Sequence, residues 1–127
     1  MQIINFSHPL TEQQRKAIEA MTGETISAVH EVPFQLDHDR PFVPQIVELI
    51  DTIPLSAEQW QTEPLLVNLP GLSIAAGIVT AELHGRMGYF PACIRLRPIK
   101  DSVPLRFEVA EIIGLEQVRQ AARTRRY

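Results

Sequence analysis

The sequence predicts an α/β protein: a single domain with a mostly parallel sheet flanked by helices. Three observations predict this class. Short β-rich segments alternate with segments of helical periodicity in the order βαβαβαβ(β)α. The chain has 127 residues, which is the length of one domain. Apolar residues make up 45% and charged residues 21%, the balance of a globular core.

The first strand and helix follow from local patterns. Residues 3–6 (IINF) are a short apolar run that ends in turn-forming residues, which predicts a strand. Thr11 and Gln14 have the spacing of a capping box, and Gly23 stands where a helix commonly ends. We therefore predict an amphipathic helix over residues 11–22.

Prolines mark the limits of the next elements. Residues 25–32 are rich in β-branched side chains and predict a second strand, which Pro33 closes. Pro41 stands near the start of a second helix, and Pro54 stops it. Ser56 then begins a short turn of helix.

The second half predicts two or three strands and two helices. Residues 64–68 read as a buried strand, 69–71 as a tight turn and 72–87 as a helix. Residues 89–97 predict a fourth strand, with Ile94 and Leu96 on one side and Arg95 and Arg97 on the other. Residues 105–113 are a candidate fifth strand, and a basic C-terminal helix is predicted at about 114–126.

The helix at 72–87 is apolar nearly all round, which is typical of a helix buried on both sides. One stripe is expected to cover the sheet: Leu72, Ala76, Val79, Leu83 and Met87. A second stripe of small and polar residues is expected to face a twin subunit or, alternatively, the C-terminal helix: Ser73, Gly77, Thr80 and His84.

The net charge of −3 conceals an uneven distribution. Residues 1–94 carry four basic and eleven acidic side chains, a net charge of −7, whereas residues 95–127 carry eight and four, a net charge of +4. Such a basic end is typical of contact with nucleic acid or another acidic partner. The alternatives are a solvated helix end or contact with the acidic part of the chain, and head-to-tail contacts between copies that do not close would give filaments.

Several classes of protein are excluded or disfavoured. The single Cys93 excludes an internal disulfide and a multi-cysteine metal site. The chain has neither the pattern of a signal peptide nor an apolar stretch of ~18 residues, so we expect a cytoplasmic protein with no membrane span. His38 between Asp37 and Asp39 has no second cluster to complete a metal site, and neither a metal nor a cofactor is predicted.

Two loops are the predicted site, because ligands of open α/β sheets bind beyond the carboxyl ends of the strands at a switch in strand order. They are residues 5–9 and 68–73. Gly71 lets a ligand approach the backbone, and the next helix begins with free amides that suit phosphate. Neither loop has a GxGxxG or GxxxxGK[ST] pattern, which disfavours a dinucleotide or P-loop site. The alternative is a pair of ordinary βα turns.

His8 and Arg86 are the candidate cations. His8 can donate to a phosphate or act as an acid or base, and its alternative role is that of a solvated loop residue. Arg86 can reach a phosphate in a partner subunit or form a surface ion pair.

Three segments together carry a family resemblance: NFSHPLT (residues 5–11), NLPGL (68–72) and AELHGRMG (81–88). They resemble small CRISPR-associated proteins encoded beside type III systems, which are single-domain relatives of the CARF domains that sense cyclic oligoadenylates. The resemblance covers nearly the whole chain up to about Leu115. It implies a Rossmann-like (CARF-like) domain over residues 1–127 that dimerises and binds cyclic oligoadenylate, above all cyclic tetra-adenylate.

The resemblance also implies that the protein lowers the level of this second messenger, by sequestration or by cleavage as a metal-independent ring nuclease. His8 is the one catalytic candidate, and because the loops offer no lysine, sequestration is favoured. A non-catalytic module for protein or RNA is the other alternative, and duplex nucleic acid is not expected. The residues expected to bind the ligand are Asn5, Phe6, Ser7, His8, Phe34, Asn68, Leu69, Pro70, Gly71, Leu72, Ser73 and Arg86.

Overall fold

The computed structural model describes residues 1–126 as one sheet with helices on both faces. The strands are β1 (Gln2–Asn5), β2 (Ala28–Glu31), β3 (Leu65–Asn68), β4 (Ala92–Pro98) and β5 (Phe107–Gly114). The helices are α1 (Glu12–Thr22), α2 (Phe42–Asp51), α3 (Ala57–Thr62), α4 (Ser73–Met87) and α5 (Leu115–Arg123). The alternation of strand and helix is confirmed, and Tyr127 lies outside the described residues.

The sheet has the strand order β2-β1-β3-β4-β5. Strand β1 runs parallel to β2 and β3, and β3 runs parallel to β4. Strand β5 is antiparallel to β4 because residues 99–106 are too few for a crossover and form a hairpin instead. The predicted class, an α/β fold with a mostly parallel sheet, is confirmed.

Each face of the sheet has its own apolar core. Ile4 and Val67 lie in the core beneath α2, α3 and α4. Helix α4 contributes Val79 to this core. Ile3 lies in the core of the opposite face, where α1 contributes Ile18. Strands β1 and β3 are buried on both faces, as their continuous apolar runs predict.

The ends of α1 confirm the capping prediction. The Thr11 hydroxyl accepts from the backbone N–H of Gln14 at 3.1 Å, and the Gln14 side chain accepts from the backbone N–H of Thr11 at 2.9 Å. Gly23 ends the helix with φ of +71°, a conformation that favours glycine. Ser56 and Gln59 form a second capping box at α3.

Helix α4 covers the sheet with a stripe shifted from the predicted one. Its buried residues are Ala75, Val79, Leu83 and Met87. The prediction was wrong for Leu72, which is exposed because it precedes the helix in an extended conformation and does not share the helical phase. In the second stripe Ser73 and Gly77 are exposed, and the last helix, α5, packs beside β4.

The predicted strands 3–6 and 64–68 differ from β1 and β3 by one residue at one or both ends, and the other three strands differ by more. Strand β2 was predicted over residues 25–32 but begins at Ala28, because β1 begins opposite it at Gln2. Strand β4 begins at Ala92 rather than at residue 89, since its first partner in β3 is Leu66. Strand β5 covers Phe107–Gly114 instead of 105–113, and α5 ends at Arg123 rather than at about 126.

Candidate functional site

The strand order reverses between β1 and β3. From β1 the chain crosses to β2 by way of α1 on one face, and from β3 it crosses to β4 by way of α4 on the other. The loops that follow β1 and β3 therefore diverge and leave a crevice at the carboxyl ends of the two strands. This crevice lies where the two predicted loops meet.

Asn5 forms hydrogen bonds to several segments at the base of the crevice. Its side-chain amide donates to the carbonyl of His8 and to Oε2 of Glu31, both at 2.9 Å. Its Oδ1 accepts from the backbone N–H of Ser7 and from Nδ2 of Asn68, both at 3.0 Å. Asn5 is 0% exposed, so this predicted ligand-binding residue shapes the loop from within, and Asn68 shares that role.

Ser7 and His8 reach solvent at the mouth of the crevice. Both are exposed, and with Pro9 they line one side of a cavity of about 230 Å³. Leu96 and Phe107 of the β4–β5 hairpin line the other side. The His8 imidazole has no hydrogen-bond partner among residues 1–126, so no side chain described here orients it for proton transfer.

Phe6 and Phe34, the two aromatic residues expected to bind the ligand, lie at different depths. Phe6 is 2% exposed and belongs to the core, where its ring meets that of Phe34 edge to face at 5.9 Å. A buried ring has no free face for a base, so Phe6 supports the core instead. Phe34 is half-buried and retains some accessible surface.

The loop after β3 divides into an anchored part and a free part. Pro70 is buried and Leu69 packs against the core, whereas Gly71, Leu72 and Ser73 are exposed. A Cβ on Gly71 would meet nothing within 4 Å, so the space above this backbone is open. No side chain caps α4, in contrast to α1, and the first amides of α4 therefore face outward without that partner.

Arg86 lies at the far end of α4, roughly 20 Å from Ser73 at ~1.5 Å per residue. It pairs with Asp51 at 2.7 Å and with Glu82 at 3.0 Å, and it stands 5.8 Å from the Trp60 ring. Burial alone would lower the pKa of Arg86, but the hydrogen bonds that it donates to the two carboxylates outweigh burial and raise that pKa. The structure therefore shows the ion pair and separates Arg86 from the loops of its own chain.

Sequence reasoning missed two cations of the hairpin that packs against the β1 loop. Arg95 pairs with Glu111 at 2.6 Å and Arg97 with Glu108 at 3.0 Å on the β4–β5 hairpin. Their alternation with Ile94 and Leu96 was visible in the sequence, but the hairpin that places them beside the β1 loop was not. Gln14 secures this arrangement, because its side chain donates to the Phe107 carbonyl at 2.9 Å.

The remaining candidate groups are structural. Asp37 accepts from the Asp39 backbone N–H and from Arg40, and these bonds lower the pKa of Asp37. Burial raises the pKa of Cys93 to about 11. Residues 1–126 hold no group of three His, Cys, Asp or Glu side chains placed to bind a metal ion.

Comparison of the chain with protein-family models, curated proteins and solved structures finds no match. The resemblance carried by residues 5–11, 68–72 and 81–88 therefore stays a prediction. None of the helices within residues 1–126 is both long enough and apolar enough to cross a bilayer.

Proposed function

We propose that this protein binds cyclic oligoadenylate, above all cyclic tetra-adenylate, at a site shared by two copies of the chain. The observation that carries the proposal is the pair of loops that follow β1 and β3 at the reversal of strand order. There the exposed Ser7 and His8 face solvent, Gly71 leaves the backbone accessible, and no side chain caps α4. Backbone amides at a helix start suit phosphate groups even where side-chain cations are few.

The size of the site supports a shared ligand. The cavity beside His8 measures about 230 Å³, below the range of ~300–1,000 Å³ typical of enclosed ligand pockets. A ring of four nucleotides lies across such an opening rather than inside it. A second copy related by two-fold symmetry offers the same loops to the other side of the ring, and the exposed Leu72 and Ile74 provide apolar contact area next to it.

Holding the messenger is favoured over cleaving it. Ring opening needs a ribose 2′-hydroxyl in line with its phosphate and a group that stabilises the developing charge. His8 is the candidate from the β1 loop, and no side chain among residues 1–126 hydrogen-bonds to its imidazole to fix its orientation. The protein therefore regulates type III CRISPR antiviral signalling mainly by sequestration, and metal-independent cleavage is the alternative.

Calorimetry with cyclic tetra-adenylate tests binding, and light scattering of the same samples tests the pairing of chains. We expect saturable heat and one ring for every two chains. The absence of heat, together with an unchanged melting temperature, would falsify the proposal. A linear tetra-adenylate of the same composition is the control for general affinity to adenylates.

Chromatography of the ring after long incubation with excess protein separates the two mechanisms. Intact ring supports sequestration. If linear products appear, the enzyme alternative holds, and His8→Ala should slow their formation by more than ~10²-fold. His38→Ala, which removes an exposed imidazole outside the two loops, is the matched control.

An interaction module is the second candidate, and α5 favours it. This helix has no buried residue, and its Val118 is exposed. Arg123 and Arg125 at its end are exposed as well. RNA binding with a steep salt dependence that is lost on truncation of residues 119–127 would support this function.

A further inference from the structure

The β4–β5 hairpin extends beyond the parallel strands. Val67 pairs with Cys93, so the end of β3 at Asn68 lies level with residue 94. The part of the hairpin from residue 95 to residue 109, here called the distal hairpin, projects past the carboxyl ends of β1 and β3. That is the edge at which the crevice opens.

The distal hairpin is fixed against the loop after β1. The Gln14 side chain donates to the Phe107 carbonyl at 2.9 Å, which joins the first turn of α1 to the start of β5. Leu96 and Phe107 share the cavity of about 230 Å³ with Ser7 and His8. The distal hairpin is therefore a wall of the proposed binding site.

The cations of the distal hairpin fall into two sets. Arg97 is neutralised by Glu108 at 3.0 Å, and Arg95 by Glu111 at 2.6 Å. Lys100 and Arg106 are exposed, and neither forms an ion pair within residues 1–126. Two exposed cations without an ion pair thus lie near the tip of the hairpin that borders the His8 cavity, whereas the two loops carry only His8.

Apolar side chains accompany these charges at the tip. Val103 is 95% exposed and Leu105 is 64% exposed. A nucleotide combines an anionic phosphate with an apolar base, so a surface that joins exposed cations to exposed apolar groups matches both parts. Solvation alone accounts for exposed Lys100 and Arg106, but it does not favour the exposure of Val103 and Leu105.

We propose that Lys100 and Arg106 bind phosphates of the cyclic oligoadenylate and that Val103 and Leu105 contact its adenines. This inference rests on the proposed function and names the side-chain cations that the two loops lack. Arg95 and Arg97 are left out because a phosphate would have to displace their carboxylates.

The test is calorimetry with cyclic tetra-adenylate on wild-type protein and on the double variant Lys100→Ala/Arg106→Ala, at several salt concentrations. We expect Kd to rise by about 100-fold, because each phosphate contact to a charged group contributes about tenfold. The slope of log Kd against log salt should fall by about 1.4, at ~0.7 for each contact with single-stranded nucleic acid. The variant Lys100→Arg/Arg106→Lys should retain both affinity and slope.

The matched control is Arg123→Ala/Arg125→Ala, which removes the same charge from exposed positions after β5. Its Kd should change by less than about twofold, as expected for screened charges outside the site. If both double variants lost affinity equally, the loss would follow from net charge alone, and the inference would be overturned. Unchanged binding in Lys100→Ala/Arg106→Ala overturns it while the proposed function stands, and no binding by wild-type protein overturns both.

Discussion

The two ends of the sheet differ in how fully their polar groups are paired. At the amino end Arg86 is held by Asp51 and Glu82, and Glu116 accepts from the Phe90 backbone N–H at 3.0 Å. At the carboxyl end Ser7 and His8 face solvent, and no side chain caps α4. The second end therefore leaves hydrogen-bonding groups of both loops available to a ligand.

Cavity volume alone does not separate the two ends, because a cleft of about 480 Å³ lies beside Arg97 and Phe107 of the hairpin. The cleft beside Leu66, Ala92 and Ile112 at the amino end measures about 360 Å³, against about 230 Å³ beside His8. The cleft beside Leu66 has a mainly apolar floor, and Glu116, one of its two carboxylates, already accepts from the Phe90 backbone N–H. The proposed anion site therefore rests on unpaired polar groups rather than on cavity volume.

Of the three replacements considered for the two ends of the sheet, that of Asn5 should lower the stability of the protein most. Asn5→Ala removes four hydrogen bonds and leaves the buried Asn68 amide without its partner. We expect a loss of about 3 kcal/mol in the free energy of unfolding, because an unsatisfied buried group costs ~1–3 kcal/mol. Urea denaturation measures this loss, and Ser7→Ala, an exposed control, should change stability by less than ~0.5 kcal/mol. Equal stability of wild type and Asn5→Ala would mean that the crevice does not depend on this network.

Replacing Arg86 should have a smaller effect, confined to stability. Arg86→Ala leaves Asp51 and Glu82 unpaired and uncovers the Trp60 ring, at a cost of about 1 kcal/mol for a partly exposed pair. Thermal melting checks the stability, and calorimetry with cyclic tetra-adenylate checks the ligand. We expect an unchanged Kd, since Arg86 stands at the other end of α4. A large loss of affinity in a normally folded variant would instead show that Arg86 contacts the ligand at the loops of a partner subunit.

Glu116 should give the smallest effect, visible only as a dependence on pH. The Phe90 backbone N–H, then Gln120 and Arg119, lower the pKa of Glu116 below its ordinary value of 4.5. A carboxylate with a lowered folded pKa stabilises the protein above its unfolded pKa, and that contribution disappears as pH falls through the folded value. The melting temperature of Glu116→Gln should therefore lie below that of wild type at pH 7 and approach it as pH falls below 4.5. A gap that stays constant down to pH 3 would show that the carboxylate charge is not what stabilises this contact.

Local sequence patterns were enough to locate the helices and the two loops. Thr11, Gln14 and Gly23 define α1 because capping depends on neighbours within a few residues. The roles of Asn5 and Phe6 were not predictable, because alternation along a strand does not say which polar end residue meets its counterpart on another strand. Asn68 lies 63 residues from Asn5, and only the β1–β3 pairing brings the two amides together.

The sequence by itself determined the α/β class, the caps of α1 and α3 and the segments that form the crevice, since these depend on short-range periodicity and turn chemistry. The resemblance to CRISPR-associated proteins is also a property of the sequence and remains a prediction. Only the tertiary structure decided which candidates lie together. It turned Asn5 and Phe6 inward, separated Arg86 from the loops and brought the distal hairpin alongside His8. Such placements depend on strand order and register, which join residues far apart in the chain and leave no local pattern.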